Sequence, residues 1–427
     1  MLTEQFAVAV CGPPLASNTA VSKDAGIYTY QLAPQLQALS VLKRSSAPVN
    51  AMAVSPTHIF TAQQNKAHVH VYSRERGNQE ALVAFSERIT AIALVGEVLV
   101  LGTTEGRMIL WETCTGRQVT TPPCHVQPIA CIGTAPYHIL TGSDDANVHV
   151  WSTARMLELD STAEQEPDRV LSNHRGSITG LSAGASANPE TSICVSSSKD
   201  KTIIIWNYAT GDALRTLLFA STPICVSLDP SARAIFATTD AGELFMVDMF
   251  GPRPLVGPHS EEHASAAVNV GQPLGNSDTE LGPAQTMAVS YDGTTLITGH
   301  TRGKILQWSL TDNSHPAELA DLNASITNLT FMPILDAVPA TMRAATIVKP
   351  TQVERLYTLT SQIKTTIAPK SRFENMLTET GFSTDALQSA VLAMQEEKLE
   401  TSAEEALRKE NEELWELVNE QRKTQKK

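Results

Sequence analysis

His174, Ser196 (or Ser198) and Asp200 lie in one short stretch and supply a base, a hydroxyl nucleophile and an orienting carboxylate, the residue types of a hydrolytic triad. Asp144-Asp145 is a carboxylate pair, but dividing acid and base roles between two carboxylates needs a pocket that raises one pKa, and the surrounding residues suggest no pocket. His259 and His263 have the spacing of metal ligands, yet stand in a loop without cysteines nearby. His68 and His70 alternate as solvent-side residues of one strand face would. Cys11, Cys114, Cys124, Cys131, Cys194 and Cys225 form no CxxC pair. They read as free thiols of a reducing compartment, not as a zinc site or a disulfide framework. No phosphate-binding glycine loop and no HExxH helix occurs. No metal, no cofactor and no catalysis are expected.

The elements that would position these groups are short strands. One pattern recurs: a turn with Gly or Asp, alternating apolar residues, then an aromatic. Gly106–Trp111, Ala146–Trp151, Lys201–Trp206 and Gly303–Trp308 carry it, and weaker copies end at Tyr30, Tyr72 and Val247-Asp248. The marks are 42, 39, 40, 55, 41 and 61 residues apart, and roughly 40 residues is the length of four strands and their turns. The two long intervals hold insertions at Arg155–Asp168 and Pro252–Gly282. A four-stranded unit cannot cover its own faces, so seven of them predict a seven-bladed β-propeller over residues 1–332. Phe6–Val10 and Ile326–Phe331 both read as inner strands, of which one suffices to complete the ring. The two ends are expected to meet in one sheet, because an open edge invites aggregation.

The marks resemble the WD-repeat family, with the final Asp mostly replaced by Glu, Ser or Asn. The resemblance implies that His174, Ser196 (or Ser198), Asp200 and Trp206 of the fifth blade are a structural hydrogen-bonded tetrad and that His174 is no general base. Blade six, where Val247 replaces the Trp, is expected to be less regular.

Past the ring, residues 333–381 read as an irregular, partner-binding linker and residues 382–427 as helices. Ser383-Thr384-Asp385 would cap a helix over Ala386–Gln395, and Ser402-Ala403-Glu404-Glu405 has the capping-box pattern of a second. In that second helix Leu407 and Leu414 take d positions of a heptad, and Asn411 and Val418 take a positions. A buried Asn at a fixes register and favours two parallel strands, so a short coiled coil and a homodimer are expected, with Trp415 beside the seam.

Acids outnumber bases 45 to 32, for a net charge of −13, and the last 57 residues (371–427) hold 13 acids and 8 bases. Neither part can bind phosphate backbones as a whole, so RNA contact is expected mainly through protein partners. No basic stretch precedes an apolar one at Met1–Gln5, and no apolar run of about 18 residues occurs, so neither a signal peptide nor a membrane span is expected.

Leu140–Ser152, Leu171–Arg175, Ile193–Asp200 and Leu228–Pro230, in that order and with an acidic helical tail, resemble the pre-ribosomal-RNA-processing WD-repeat subunits of the Rix complex, or rixosome. The likeness is dense over residues 90–310. It implies a nuclear, non-catalytic scaffold for late maturation of the large ribosomal subunit, acting in processing of the second internal transcribed spacer. The implied partners are a helical-repeat subunit, a further Rix-complex subunit, the Midasin AAA+ ATPase, the pre-ribosomal particle and a second copy of the chain. The alternatives are a propeller adaptor, such as a ubiquitin-ligase substrate receptor, and a propeller hydrolase.

Overall fold

In a computed structural model the described residues are 4–12, 15, 25–33, 35–158, 165–186, 188, 191–250, 254–256, 267–276, 281–311, 315–333, 347–350, 407–416 and 418. Contacts divide the chain into two units, Met1–Ile363 and Lys364–Lys427. The first is a seven-bladed propeller with seven sheets, six of four strands and one of five. Blades three, four and five show the common plan, with the sequence running from an inner strand outward, as in Ile129–Thr134, His138–Ser143, Val148–Ser152 and Arg169–Leu171.

Seven apolar clusters occupy the seven contacts between neighbouring blades. Val and Ile on alternate strand positions supply them, because each sheet face is buried against the next blade. Packing is tight where the second strand meets the neighbour's inner strand. A Cβ on Gly102, Gly142 or Gly299 would come within 2.7, 2.9 or 2.4 Å of Ile129, Ile178 or Ile326 respectively. That close approach explains the Gly before the Thr, Ser or His ending these strands.

Inner strands begin with a β-bulge that leaves Thr90, Thr179 and Thr327 out of register. Each freed hydroxyl ties its blade to the next, donating to Ile129 O at 2.5 Å, Pro223 O at 2.7 Å and Ala47 O at 2.7 Å respectively.

The ring closes differently from the expectation that one terminal strand suffices. Ser325–Met332 is the inner strand of blade one and Gln5–Cys11 is its second strand, paired antiparallel with Phe6 opposite Phe331 and Val8 opposite Leu329. Ala25–Gln31 and Gln37–Lys43 complete the sheet. Both termini are needed, since Gln5–Cys11 is covered on both edges, by Ser325–Met332 and by Ala25–Gln31. Its uninterrupted apolar run Phe6–Val10 reads as an inner strand because a second strand is buried just as fully.

The insertion at Pro252–Gly282 is partly committed to the ring. Ala267–Asn269 adds a parallel fifth strand to blade five, and Gly275–Asn276 supplies the two-residue outer strand of blade six. Blade six keeps a third strand, Glu243–Asp248, without the Trp. In the second unit, Leu407–Glu416 is helical, as is Val418. The helix expected over Ala386–Gln395 and the capping box at Ser402–Glu405 lie outside the described residues.

Asn328 closes the seam to blade two: its side chain accepts from Ala51 N at 2.9 Å and donates to Pro48 O at 2.7 Å, in a buried position. Asn328→Ala leaves that buried amide and carbonyl unpaired and should cost about 2–3 kcal/mol in urea unfolding. A loss below about 0.5 kcal/mol would show that the seam does not depend on it.

Candidate functional site

The histidines, hydroxyls and acids singled out in the sequence come together inside blades. In blade five His174 Nδ1 lies 3.2 Å from Asp200 Oδ2 and His174 Nε2 lies 2.7 Å from Ser196 Oγ. Ser198 instead donates to Gly176 O. The order Asp–His–Ser is that of a triad, but the Trp206 indole donates to the same Ser196 oxygen at 2.8 Å and Ser196 is fully buried. A nucleophile capped by an indole has no room for a carbonyl carbon, so the chemistry available is hydrogen bonding alone. Burial lowers the His174 pKa, with Asp200 opposing, which keeps the imidazole neutral.

Blade four holds a second full set, which the sequence reading did not assemble. His125 bridges Asp145 Oδ2 at 3.0 Å and Thr141 Oγ1 at 2.9 Å, and Trp151 donates to Thr141 at 3.1 Å. Burial would raise the Asp145 carboxyl, but hydrogen bonds from His125, Asn147 and Val126 outweigh it and hold the pKa at about 2. Asp144-Asp145 is therefore a turn, with only Asp145 engaged by the histidine. The legible signal was spacing: Thr141, Ser196 and Thr298 each precede their Trp by ten residues.

Blade seven moves its histidine. His125 and His174 stand four residues before their inner strands, where blade seven has Glu280, and His300, on the second strand, bonds Thr298 Oγ1 at 3.1 Å and Gly282 O at 2.9 Å. Trp308 donates to the same Thr298 hydroxyl at 3.0 Å.

Cys124, His125 and His149 offer ligand atoms within 4.8 Å of one another. They do not fit a metal. The two imidazoles stack at 3.8 Å with planes 15° apart, so their in-plane lone pairs run parallel rather than converging. Both His125 nitrogens are already bonded, and the Cys124 thiol donates to Gly106 O at 3.1 Å. His68 and His70 are half-buried, not solvent-facing as their alternation suggests, and His70 Nδ1 lies 3.2 Å from the Tyr72 hydroxyl. The reason is that the third strand of a blade is covered on both faces by neighbouring blades. His259 and His263 lie outside the described residues. All six cysteines are free.

In the second unit, Leu407, Leu414, Trp415 and Val418 are all exposed, as is Asn411. On a helix Leu407, Asn411, Leu414 and Val418 share one face, and Trp415 flanks it.

Seven radial sheets, three of them carrying a histidine–hydroxyl–tryptophan latch, define a WD-repeat β-propeller. The profile of the family described as WD domain, G-beta repeat, matches residues 116–152 and 165–207, the stretches that carry the two complete latches. The chain is similar to several named proteins. It is 23% identical over 296 residues to the pre-rRNA-processing protein crb3/ipi3 of Schizosaccharomyces pombe, covering 63% of this chain and 66% of that one. It is 23% identical over 382 residues to the pre-rRNA-processing protein IPI3 of Yarrowia lipolytica, covering 85% and 88%. To WD repeat-containing protein 18 of Danio rerio it is 24% identical over 257 residues, covering 59% and 58%. The chain thus spans less than two thirds of the fission yeast and zebrafish relatives.

The His149 ring has its Nδ1 buried without a partner. Burial, then repulsion from His125, pushes its pKa down to about 4, Asp145 opposing. The unfolded chain binds this proton near pH 6.5 and the folded one does not, so stability falls as pH drops from about 6.5 toward 4. His174 and His300 are lowered as well and act in the same sense. His149→Phe should shrink the stability difference between pH 7 and pH 5 by about 1–2 kcal/mol, read by urea unfolding at both values. An unchanged difference would show that His149 titrates normally.

Proposed function

We propose that this protein is a non-catalytic scaffold in ribosome biogenesis that acts in pre-rRNA processing. The observation that carries the proposal is the match over 85% of the chain to a pre-rRNA-processing protein. The interior adds support: the side chains with triad chemistry are consumed by latches between strands. On this reading the chain is the WD-repeat subunit of a Rix-type complex in the nucleus and nucleolus. Its propeller docks a helical-repeat subunit, and the assembly meets the Midasin ATPase on the late large-subunit precursor. With a net charge of −13 it reaches ribosomal RNA mainly through those partners.

Dimerisation belongs to the same proposal. The exposed stripe Leu407, Leu414 and Val418 leaves apolar surface uncovered on a short helix that is marginal alone, and Asn411 supplies the paired amide that selects two strands. Deleting residues 403–427 should halve the mass seen by light scattering. An intact-protein mass equal to that of the deletion would remove the dimer from the proposal. Asn411→Leu should raise helix stability and admit higher oligomers.

The function itself is tested by affinity purification from nuclear extract at moderate salt, with northern analysis after depletion. Pre-ribosomal large-subunit proteins, a helical-repeat partner and accumulation of precursors containing the second internal transcribed spacer are expected. Cullin components without pre-ribosomal proteins would instead identify a ubiquitin-ligase adaptor and overturn the proposal.

A further inference from the structure

Blade three lacks the latch. The position ten residues before Trp111 is Leu101, and four residues before the inner strand, where blade four has His125, stands Phe85. Phe85 meets the Trp111 ring edge-on at 6.1 Å, and Leu101 is fully buried. Trp111 is thus buried among apolar groups with an indole N–H that has lost its usual acceptor. A buried indole donor left unpaired is costly, so an acceptor must come from elsewhere.

It comes from beyond the ring. Trp111 Nε1 donates to Val348 O at 3.0 Å, and Val348 N donates to Thr113 O at 2.9 Å. Ile347 packs on the apolar cluster between blades two and three. Gly116, at φ 77°, lies against the same segment: a Cβ there would come within 2.7 Å of the Val348 side chain and 2.8 Å of Lys349 O. The equivalent turn glycine of blade two, Gly77, faces open space, and that of blade five, Gly211, meets only an arginine side chain at 3.5 Å. The glycine is therefore crowded by backbone in blade three, unlike in those two blades.

We propose that blade three carries a peptide-binding recess, made by the Trp111 indole, the Thr113 carbonyl and the bare Gly116 turn, whose ligand is the chain's own extended segment Ile347–Pro350. The recess recognises one backbone amide and one backbone carbonyl with an apolar residue ahead of them, so its ligand class is an extended apolar peptide. Residues 333–346 tether the ligand to the inner strand of blade one, and a tether of that length holds it at millimolar effective concentration, so a weak site suffices. The consequence is a second fastening of the closing strand: the chain leaves the ring at blade one and is gripped again at blade three. This proposal stands apart from the reading of the protein as a ribosome-assembly scaffold.

Hydrogen exchange on the full-length protein tests it. The Val348 amide should exchange at least about tenfold more slowly than an unstructured peptide, and Trp111→Phe should abolish most of that protection. Val348→Pro removes the amide donor without touching the propeller. It should speed exchange of the Trp111 indole N–H by a similar factor, while the Trp151 and Trp206 indoles stay unchanged. A Val348 amide that exchanges at the unstructured rate in the unaltered protein would overturn the recess. So would a Trp111 indole that stays protected after Val348→Pro.

Discussion

The antiparallel pairing of Ser325–Met332 with Gln5–Cys11 is the interaction on which the rest of the first unit depends. Each apolar cluster is shared by two blades, so no blade has a core of its own. Phe6, Val8 and Tyr30 of blade one pack with Ile297 and Ile305 of blade seven, and Ala7, Ala9 and Ile27 pack with Ile59 and Tyr72 of blade two. Blade one is built from both ends of the ring, so each cluster is complete only once residues over three hundred positions apart have met. Such non-local pairing is slow to form, and it gives the ring one seam through which it can open. The polar ties gather there for the same reason: Thr327 and Asn328 bind the closing strand to Ala47, Pro48 and Ala51.

A second constraint runs through the blades. Each third-strand tryptophan buries an indole N–H, and the donor must be met. Blades four, five and seven meet it with a hydroxyl ten residues earlier, which a histidine then orients. The histidine is replaceable: in blade seven it sits two residues beyond the hydroxyl instead of in the connecting loop. The hydroxyl itself is replaceable too, as Trp111 shows by taking a carbonyl from a segment outside the ring. Degeneration of the repeat consensus is therefore limited by hydrogen-bond accounting and not by residue identity.

The ring and its blade count were legible in the sequence because the third strand of a blade is the most stereotyped element, ending in a buried aromatic after a tight turn. The fifth-blade cluster of His174, Ser196, Asp200 and Trp206 was legible for the same reason, although only the fold turns Ser196 toward the imidazole and Ser198 toward Gly176 O. What escaped were features set by long-range geometry. Phe6–Val10 reads as innermost because second and inner strands are equally buried, and no local pattern separates them. The His125 set was hidden because the histidine stands twenty residues before Asp145, across a sheet. The grip of Val348 on Trp111 spans 237 residues. Its only sequence trace is an absence, Leu101 where a hydroxyl belongs.

These constraints bear on function by elimination of a specific kind. Ser196, His174 and His125 have their reactive atoms turned inward and bonded, so they contribute rigidity and not turnover. Apolar surface, in contrast, is exposed in the second unit, where Leu407, Leu414, Trp415 and Val418 sit on a helix. A ring whose triad-type side chains are bonded internally and a helix whose apolar side chains are exposed offer different surfaces to their surroundings. In the proposed dimer, a surface that covers Leu407, Leu414 and Val418 would also have to accept the Asn411 amide, which another Asn411 does best.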